Sequence, residues 1–207
     1  TANAFTKHDI GGSWSGPLLE NELFYNFSFQ YTDNENYRFA LAADDPLAAE
    51  RSGVSIDSIA RFLNILQSKN FPTAGQTGPY SQRTGDLRLQ GRLDWNIVQE
   101  SERSHSLSAR FNTNFNRQDS TRISTLDILG HGGETGRDTR QIALNLNSQF
   151  GRSWTNVINL SYQTNESDAA PYTEIPEGQV RVTSEFADGT RGTKNLIFGG
   201  NRNMPTE

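Results

Sequence analysis

The sequence predicts an all-β chain: an antiparallel, up-and-down segment of a transmembrane β-barrel, about six to eight strands of a larger barrel, with one short helix in a long extracellular loop. Three observations carry that expectation. Apolar and small polar residues alternate over long stretches, as at Leu23, Tyr25, Phe27, Phe29 and Tyr31 against Asn26, Ser28, Gln30 and Thr32. Each stretch runs about ten residues or more, roughly twice a usual globular strand and about the length that crosses a bilayer at a tilt. The connections between stretches alternate short and long, as do the turns and loops on the two sides of an outer-membrane barrel.

The first strand is expected from Asp9 to Leu18, with Ile10, Trp14 and Leu18 on one parity, and Pro17 to Asn21 turn the chain into a strand from Glu22 to Thr32. A long connection of about 33–83 holds the helix. Ser55 can cap it, and Ile56, Ile59, Ala60, Leu63 and Leu66 form its apolar stripe before Pro72 stops it. It reads either as a lid or as a loop helix packed on the barrel rim. A strand from Thr84 to Val98 then carries Leu87, Leu89, Gly91, Leu93, Trp95 and Ile97 on one face. After the turn Gln99 to Ser104, the next strand runs to about Arg117 with Leu107, Ala109, Phe111, Thr113 and Phe115 in phase. A second long loop, about 118–138, contains Gly130-His131-Gly132-Gly133-Glu134 and reads as flexible and solvated. Strands from Thr139 to Phe150 and from Trp154 to Asn165 flank the tight Gly151-Arg152-Ser153 connection. A third long loop, about 166–194, surrounds a weaker strand at Gln179 to Phe186 and leads to another at Asn195 to Phe198.

Side chains of a strand point alternately to its two faces, so the apolar parity is expected to meet lipid and the polar parity a wet lumen. The polar parity sets Arg88, Arg92 and Asp94 on one strand and Arg110 and Asn112 on the next. These five are the lumen-facing candidates for ligand binding. Opposed Arg and Asp residues on neighbouring strands are expected to form ion pairs. Trp14, Tyr25, Tyr31, Trp95, Trp154 and Tyr162 are candidates for the aromatic belts at the membrane interfaces, and each also reads as an ordinary core aromatic.

Composition narrows the classes. Hydrophobic residues make up 33% of the chain and mean hydropathy is -0.69. No apolar run is long enough for a membrane helix, whereas a barrel hides its apolar residues in alternation. A net charge of -5 lacks the basic footprint of a nucleic-acid binder. Cysteine is absent, which removes disulfides and thiolate chemistry. His8, His105 and His131 fall in no zinc-ligand spacing, and Gly12-Ser13-Trp14-Ser15-Gly16 puts Trp where a nucleophile elbow needs Ser. No catalytic constellation, metal site or cofactor motif is read, so an enzyme is not expected.

The segment Gly11-Gly12-Ser13-Trp14-Ser15-Gly16-Pro17-Leu18-Leu19-Glu20-Asn21-Glu22-Leu23-Phe24-Tyr25 resembles the early barrel of TonB-dependent outer-membrane receptors. The likeness is closest to the Oar-like group, whose members often carry a carboxypeptidase-regulatory-like domain. Gly91-Arg92-Leu93-Asp94-Trp95-Asn96 with His105-Ser106-Leu107-Ser108-Ala109-Arg110-Phe111-Asn112 is a second match, and Phe198-Gly199-Gly200-Asn201 a weaker third. The resemblance implies uptake of a ligand across the bacterial outer membrane, driven through TonB, ExbB and ExbD, with the wall in contact with outer-membrane lipid. A plug domain and a TonB box are not read, and Met204-Pro205-Thr206-Glu207 is not a terminal aromatic strand. Residues 1–207 are therefore expected to be part of the wall of a barrel whose usual size is about 22 strands. A passive porin or outer-membrane adhesin, and a soluble β-sandwich binding module, are the competing expectations.

Overall fold

Strict alternation leaves each long segment one way to satisfy its backbone and two unlike faces to place. In the computed structural model, six such segments pair in chain order into one antiparallel sheet: β1 (Phe5–Leu19), β2 (Leu23–Phe39), β3 (Pro79–Glu100), β4 (Arg103–Thr121), β5 (Gly133–Phe150) and β6 (Trp154–Pro171). The structure describes residues 5–72, 77–100, 102–185 and 189–201, with the exception of the Leu47 side chain. The expected strand end at Phe186 and the terminal Met204-Pro205-Thr206-Glu207 lie outside these residues.

Across the apolar band all five registers keep parity, so apolar residues meet apolar residues across the sheet. One row runs Trp14, Phe27, Gly91, Phe111, Ile142 and Tyr162, and the next Gly16, Tyr25, Leu93, Ala109, Leu144 and Leu160. Trp14 stacks on Phe27 and Phe29 at 6.0 and 5.7 Å between ring centroids. Glycine has a specific use in the first row. A Cβ at Gly91 would stand 2.0 Å from the Phe111 ring, so only glycine lets Phe111 lie across the strand and approach Phe27, 6.5 Å away. None of the other described residues covers this face. Trp14 is 55%, Leu160 61% and Tyr162 69% exposed.

Short connections join the strands at one end: residues 20–22, 101–102 and 151–153. Asn21 and Gly151 take the left-handed conformations these turns demand, with φ of 62° and 63°. The strands run past their expected limits at the other end, where the alternation becomes polar on both parities. The three long connections accordingly shrink from about 33–83, 118–138 and 166–194 to 40–78, 122–132 and 172–177. The last of these leads into a separate hairpin, β7 (Gly178–Glu185) and β8 (Arg191–Phe198), which does not join the six-stranded sheet.

The buried core lies among these connections rather than in the sheet. It comprises Leu41, Ala49, Val54, Ile59, Phe62, Leu66, Ile128 and Leu196, with Phe71, Val182 and Phe198 against it. Two helices contribute, where one was expected: α1 (Pro46–Ser52) and α2 (Ile56–Ser68). Ser55 caps α2 as expected, its hydroxyl accepting the Ser58 N–H at 3.4 Å. The buried stripe is Ile59, Phe62 and Leu66, and Ile56 is exposed, because the helix packs against β7 and β8 on a face rotated from the one predicted. Helix, hairpin and loops form a single cap.

Residues 126–128 lace the cap together. Leu41 N–H donates to the Asp127 carbonyl at 2.9 Å, Ile197 N–H to the Leu126 carbonyl at 3.0 Å, and Ile128 N–H to the Ile197 carbonyl at 3.2 Å. His131, expected in a flexible solvated loop, is buried in a single 3-10 turn, its Nδ1 3.1 Å from the Gly199 carbonyl oxygen. The Gly199-Gly200 pair is needed here because a Cβ on Gly200 would sit 2.2 Å from the Thr173 carbonyl oxygen. Ile128 is fully buried, so Ile128→Ala should destabilise the cap by about 2–5 kcal/mol. Hydrogen exchange should then show protection lost across α2, β7 and β8 and kept in the centres of β3 and β4. Uniform loss through the sheet would refute an independently stable wall.

Candidate ligand-binding face

The polar parity of the sheet builds a continuous carboxamide- and hydroxyl-rich face. One row across it is Ser13, Ser28, Gln90, Asn112, Gln141 and Gln163, and another is Gln30, Arg88, Asn114, Thr139 and Asn165. Neighbouring side chains satisfy one another. Asn112 Nδ2 donates to Gln141 Oε1 at 3.4 Å, Thr139 Oγ1 to Asn165 Oδ1 at 2.9 Å, and Asn147 Nδ2 to Asn145 Oδ1 at 2.6 Å. Asn145 in turn donates to Asn159. Such a face presents both donors and acceptors to anything that lies along it.

All five sequence candidates sit on this face. Arg92 and Arg110 are directly opposed, Asp94 faces Ser108, Arg88 faces Asn114, and Asn112 faces Gln90. The expected cross-strand ion pairing is not what organises them. Arg88 bonds Asp86 at 2.8 Å and Arg92 bonds Asp94 at 2.7 Å, in each case two residues along the same strand. Two residues apart means the same face about 7 Å away, a span that the long Arg side chain closes easily. Arg110 makes no ion pair among the described residues and stands against a like charge.

The cross-strand pairs occur instead on the apolar parity, just beyond the apolar rows at the loop end. Arg83 grips Asp33 with two bonds of 2.8 and 2.7 Å, and Arg117 bonds Asp138 at 2.5 Å. Both guanidinium–carboxylate contacts are diagonal, since Asp33 is in register with Gly85 and Arg117 with Gly136. The hydrogen bond from Arg83 holds the Asp33 carboxyl below the usual carboxylate range.

Beneath the cap, the polar face forms a hollow of about 770 Å³, lined by Gln82, Asn114, Asn116, Gln118, Arg137 and Ser167 among others, with Thr121 and Arg122 at its rim. Buried Tyr80 donates its hydroxyl to the Ile123 carbonyl at 3.2 Å, and Gln82 Nε2 donates to the Ser120 carbonyl at 3.0 Å. Ser120 and Arg122 hold left-handed backbone at φ of 48° and 60°, which turns the chain over the face at some conformational cost. The sequence alone points to neither Arg137 nor the hollow, because residues 118–138 read as loop. Arg137, Thr139 and Gln141 in fact continue the polar parity of β5, and that phase was the available signal.

Among the described residues no three His, Cys, Asp or Glu side chains are grouped to hold a metal ion. No helix is long and apolar enough to cross a membrane, which does not bear on crossing by strands. Compared with known proteins, the chain matches no family model, no curated protein and no solved structure.

The Asp33–Arg83 pair gives a pH dependence of fixed sign. A carboxyl whose pKa is lowered on folding contributes stability above its unfolded value and loses it as pH falls through the lowered one. Asp33→Asn should therefore reduce the melting temperature slightly at pH 7, and the difference should shrink as the pH is lowered to 2. High salt should shrink the neutral-pH difference, because the pair is exposed. An equal difference at both pH values would show that the ion pair is not its source.

Proposed function

We propose that the six-stranded sheet is an arc of the wall of a β-barrel in the bacterial outer membrane, and that the protein is a TonB-dependent receptor which takes up a ligand from outside the cell. The observation that carries the barrel reading is the bare apolar face, set back to back with a wholly polar one. A soluble sandwich buries its apolar faces against each other. Here the second sheet, β7–β8, belongs to the cap and leaves the apolar rows open.

The stagger of those rows supports a membrane slab cutting tilted strands. In β1 and β2 the band spans Ile10–Leu18 and Leu23–Tyr31, whereas in β5 and β6 it spans Ile142–Phe150 and Trp154–Tyr162. Following the register from Ile10 and Tyr31 across the sheet leads to Asp138 and Glu166, four residues short of the band's edge at Ile142 and Tyr162. Four residues are about 13 Å along a strand and five strand spacings about 24 Å across, giving a lean of about 30°. Transmembrane barrels lean by about 35–45°. A nine-residue band at that lean stands about 23 Å tall, close to the roughly 25 Å apolar belt of an outer-membrane barrel.

Aromatic placement agrees in four of the six expected cases. Trp95 and Trp154 lie toward the short-turn edge of the band, Tyr31 and Tyr162 at the loop edge, while Trp14 and Tyr25 lie within it. Amphipathic rings at both edges suit the two headgroup layers. In this reading the short turns face the periplasm, the cap faces outward, and the polar face lines the lumen. Both edge strands, β1 and β6, offer unpaired backbone to further strands of the wall, since an open edge cannot stand in hydrocarbon. The uptake role and its TonB coupling rest on the likeness around Gly11 to Tyr25. The cap over a polar wall is the arrangement such a receptor needs at its outer mouth.

Adjacent residues on β5 test the barrel. Leu144→Arg should cost about 2–4 kcal/mol in lipid vesicles, while Asn145→Arg, pointing to the lumen, should cost under about 1 kcal/mol. Equal tolerance of both, or partition of the gene product into the aqueous phase, would overturn the membrane reading. Co-purification of the gene product with the periplasmic domain of TonB tests the receptor reading, and its failure would favour a passive porin or an adhesin.

A further inference from the structure

From the hollow beneath the cap, we infer that the protein binds an acidic saccharide, with Arg137 receiving the acid group and the surrounding carboxamides reading the hydroxyls. The inference deepens the receptor reading and rests on it for the direction from which ligand arrives. The chemistry of the hollow does not depend on TonB coupling.

The acid-binding element is Arg137. It is exposed on the polar face of β5, in register with Asn116 and Ser167, and it makes no ion pair among the described residues. Several other arginines of the sheet are already neutralised: Arg83 by Asp33, Arg88 by Asp86, Arg92 by Asp94 and Arg117 by Asp138. The nearest acid in its own row is Asp86, two strands away, and that carboxylate is held by Arg88 and by Asn116 Nδ2 at 3.4 Å; the one carboxylate that borders the hollow, Asp168, belongs to the opposite parity, where it lies over Gly136. A guanidinium left open in a concave polar site offers a planar fork to a carboxylate or phosphate.

The hydroxyl-binding element is the carboxamide set. Asn114 Oδ1 is buried and has no hydrogen-bond partner. That acceptor lies out of reach of solvent, so a ligand hydroxyl meets it once the Asn114 carboxamide turns toward the hollow that it lines. Asn116, Gln118, Thr135 and Ser167 line the same hollow with further donors and acceptors. The carboxamide rows continue down the face through Asn112, Gln141 and Gln163, so a chain of linked sugars can extend the contact one ring at a time. Lining chemistry also argues against an apolar or peptide ligand. No aromatic side chain and only Ala169 among aliphatic ones borders the hollow, so side chains of a bound peptide would find no apolar subsite.

The test uses the gene product in detergent micelles and a panel of oligosaccharides containing uronic or sialic acids, each with a neutral counterpart, measured by calorimetry. At least one acidic member should bind about tenfold or more tightly than its neutral partner. Arg137→Gln should erase that preference, Asn114→Leu should weaken both members, and Arg103→Gln, at the short-turn end, should change neither. Melting temperatures of the Arg137 and Arg103 variants should match the parent, which separates lost binding from lost folding. Absence of binding by the whole panel, equal binding of acidic and neutral members, an unchanged preference in Arg137→Gln, or tighter binding of acidic tripeptides would each overturn the inference. Membrane partition of the same preparation is scored separately. Saccharide binding by a protein that stays in the aqueous phase would refute the barrel and keep the site, and a membrane-inserted protein without saccharide binding would do the reverse.

Discussion

The six-stranded sheet keeps one face wholly apolar with none of the other described residues packed against it, and the rest of this structure follows from how that face is kept intact. Parity is preserved through every register across the apolar band, and the bulges near Pro17, Asn96 and Gln118, where the register shifts by one residue, lie at the ends of the strands. A slip of one residue anywhere would exchange the faces of a whole strand, setting Arg92 or Arg110 among Phe27 and Phe111. Backbone pairing and side-chain chemistry therefore enforce the same alignment. The wall needs no conventional core of its own.

The core that does exist serves a different purpose. It gathers two helices, a hairpin and three connections into one body at the polar end of the strands. Loops of this length ordinarily gain little from burial and stay mobile. Here the cap buries Leu41, Ile59, Ile128 and Leu196 and is tied to the sheet by Tyr80, whose hydroxyl donates to the Ile123 carbonyl. The hollow of the polar face lies where β4 leaves the sheet for the cap, with Thr121 and Arg122 at its rim.

Most of the sheet was legible in the alternation, because a strand with unlike faces writes its period directly into the chain. Each of the five candidates Arg88, Arg92, Asp94, Arg110 and Asn112 lies on the polar face for that reason. Strand ends were not legible, because beyond the apolar band both parities turn polar and the contrast that marks a strand disappears. Asp33, Arg83 and Arg137 were assigned to loops on that account. The cap was hidden for another reason. Its core joins residues about 70 to 150 positions apart, such as Ile59 with Ile128 and Leu196, and local periodicity carries no record of such pairings. The rotated face of α2 shows the limit clearly: Phe62, rather than Ile56, is buried because Phe198 stands there to receive it.

The lacing by Leu126 to Ile128 bears on how this surface can change over generations. Surface connections usually drift independently, each free to lengthen or recombine. These three cannot, since the strand-like bonds from Leu41 and Ile197 both end on the same short segment. Change in the first connection is limited in addition by the buried faces of α1 and α2, which carry Ala49, Ile59, Phe62 and Leu66. A graft that replaces residues 122–132 alone would unfasten all three at once. Diversity at this end of the sheet would be inherited as a block, with the cap exchanged whole and the sheet beneath it left alone.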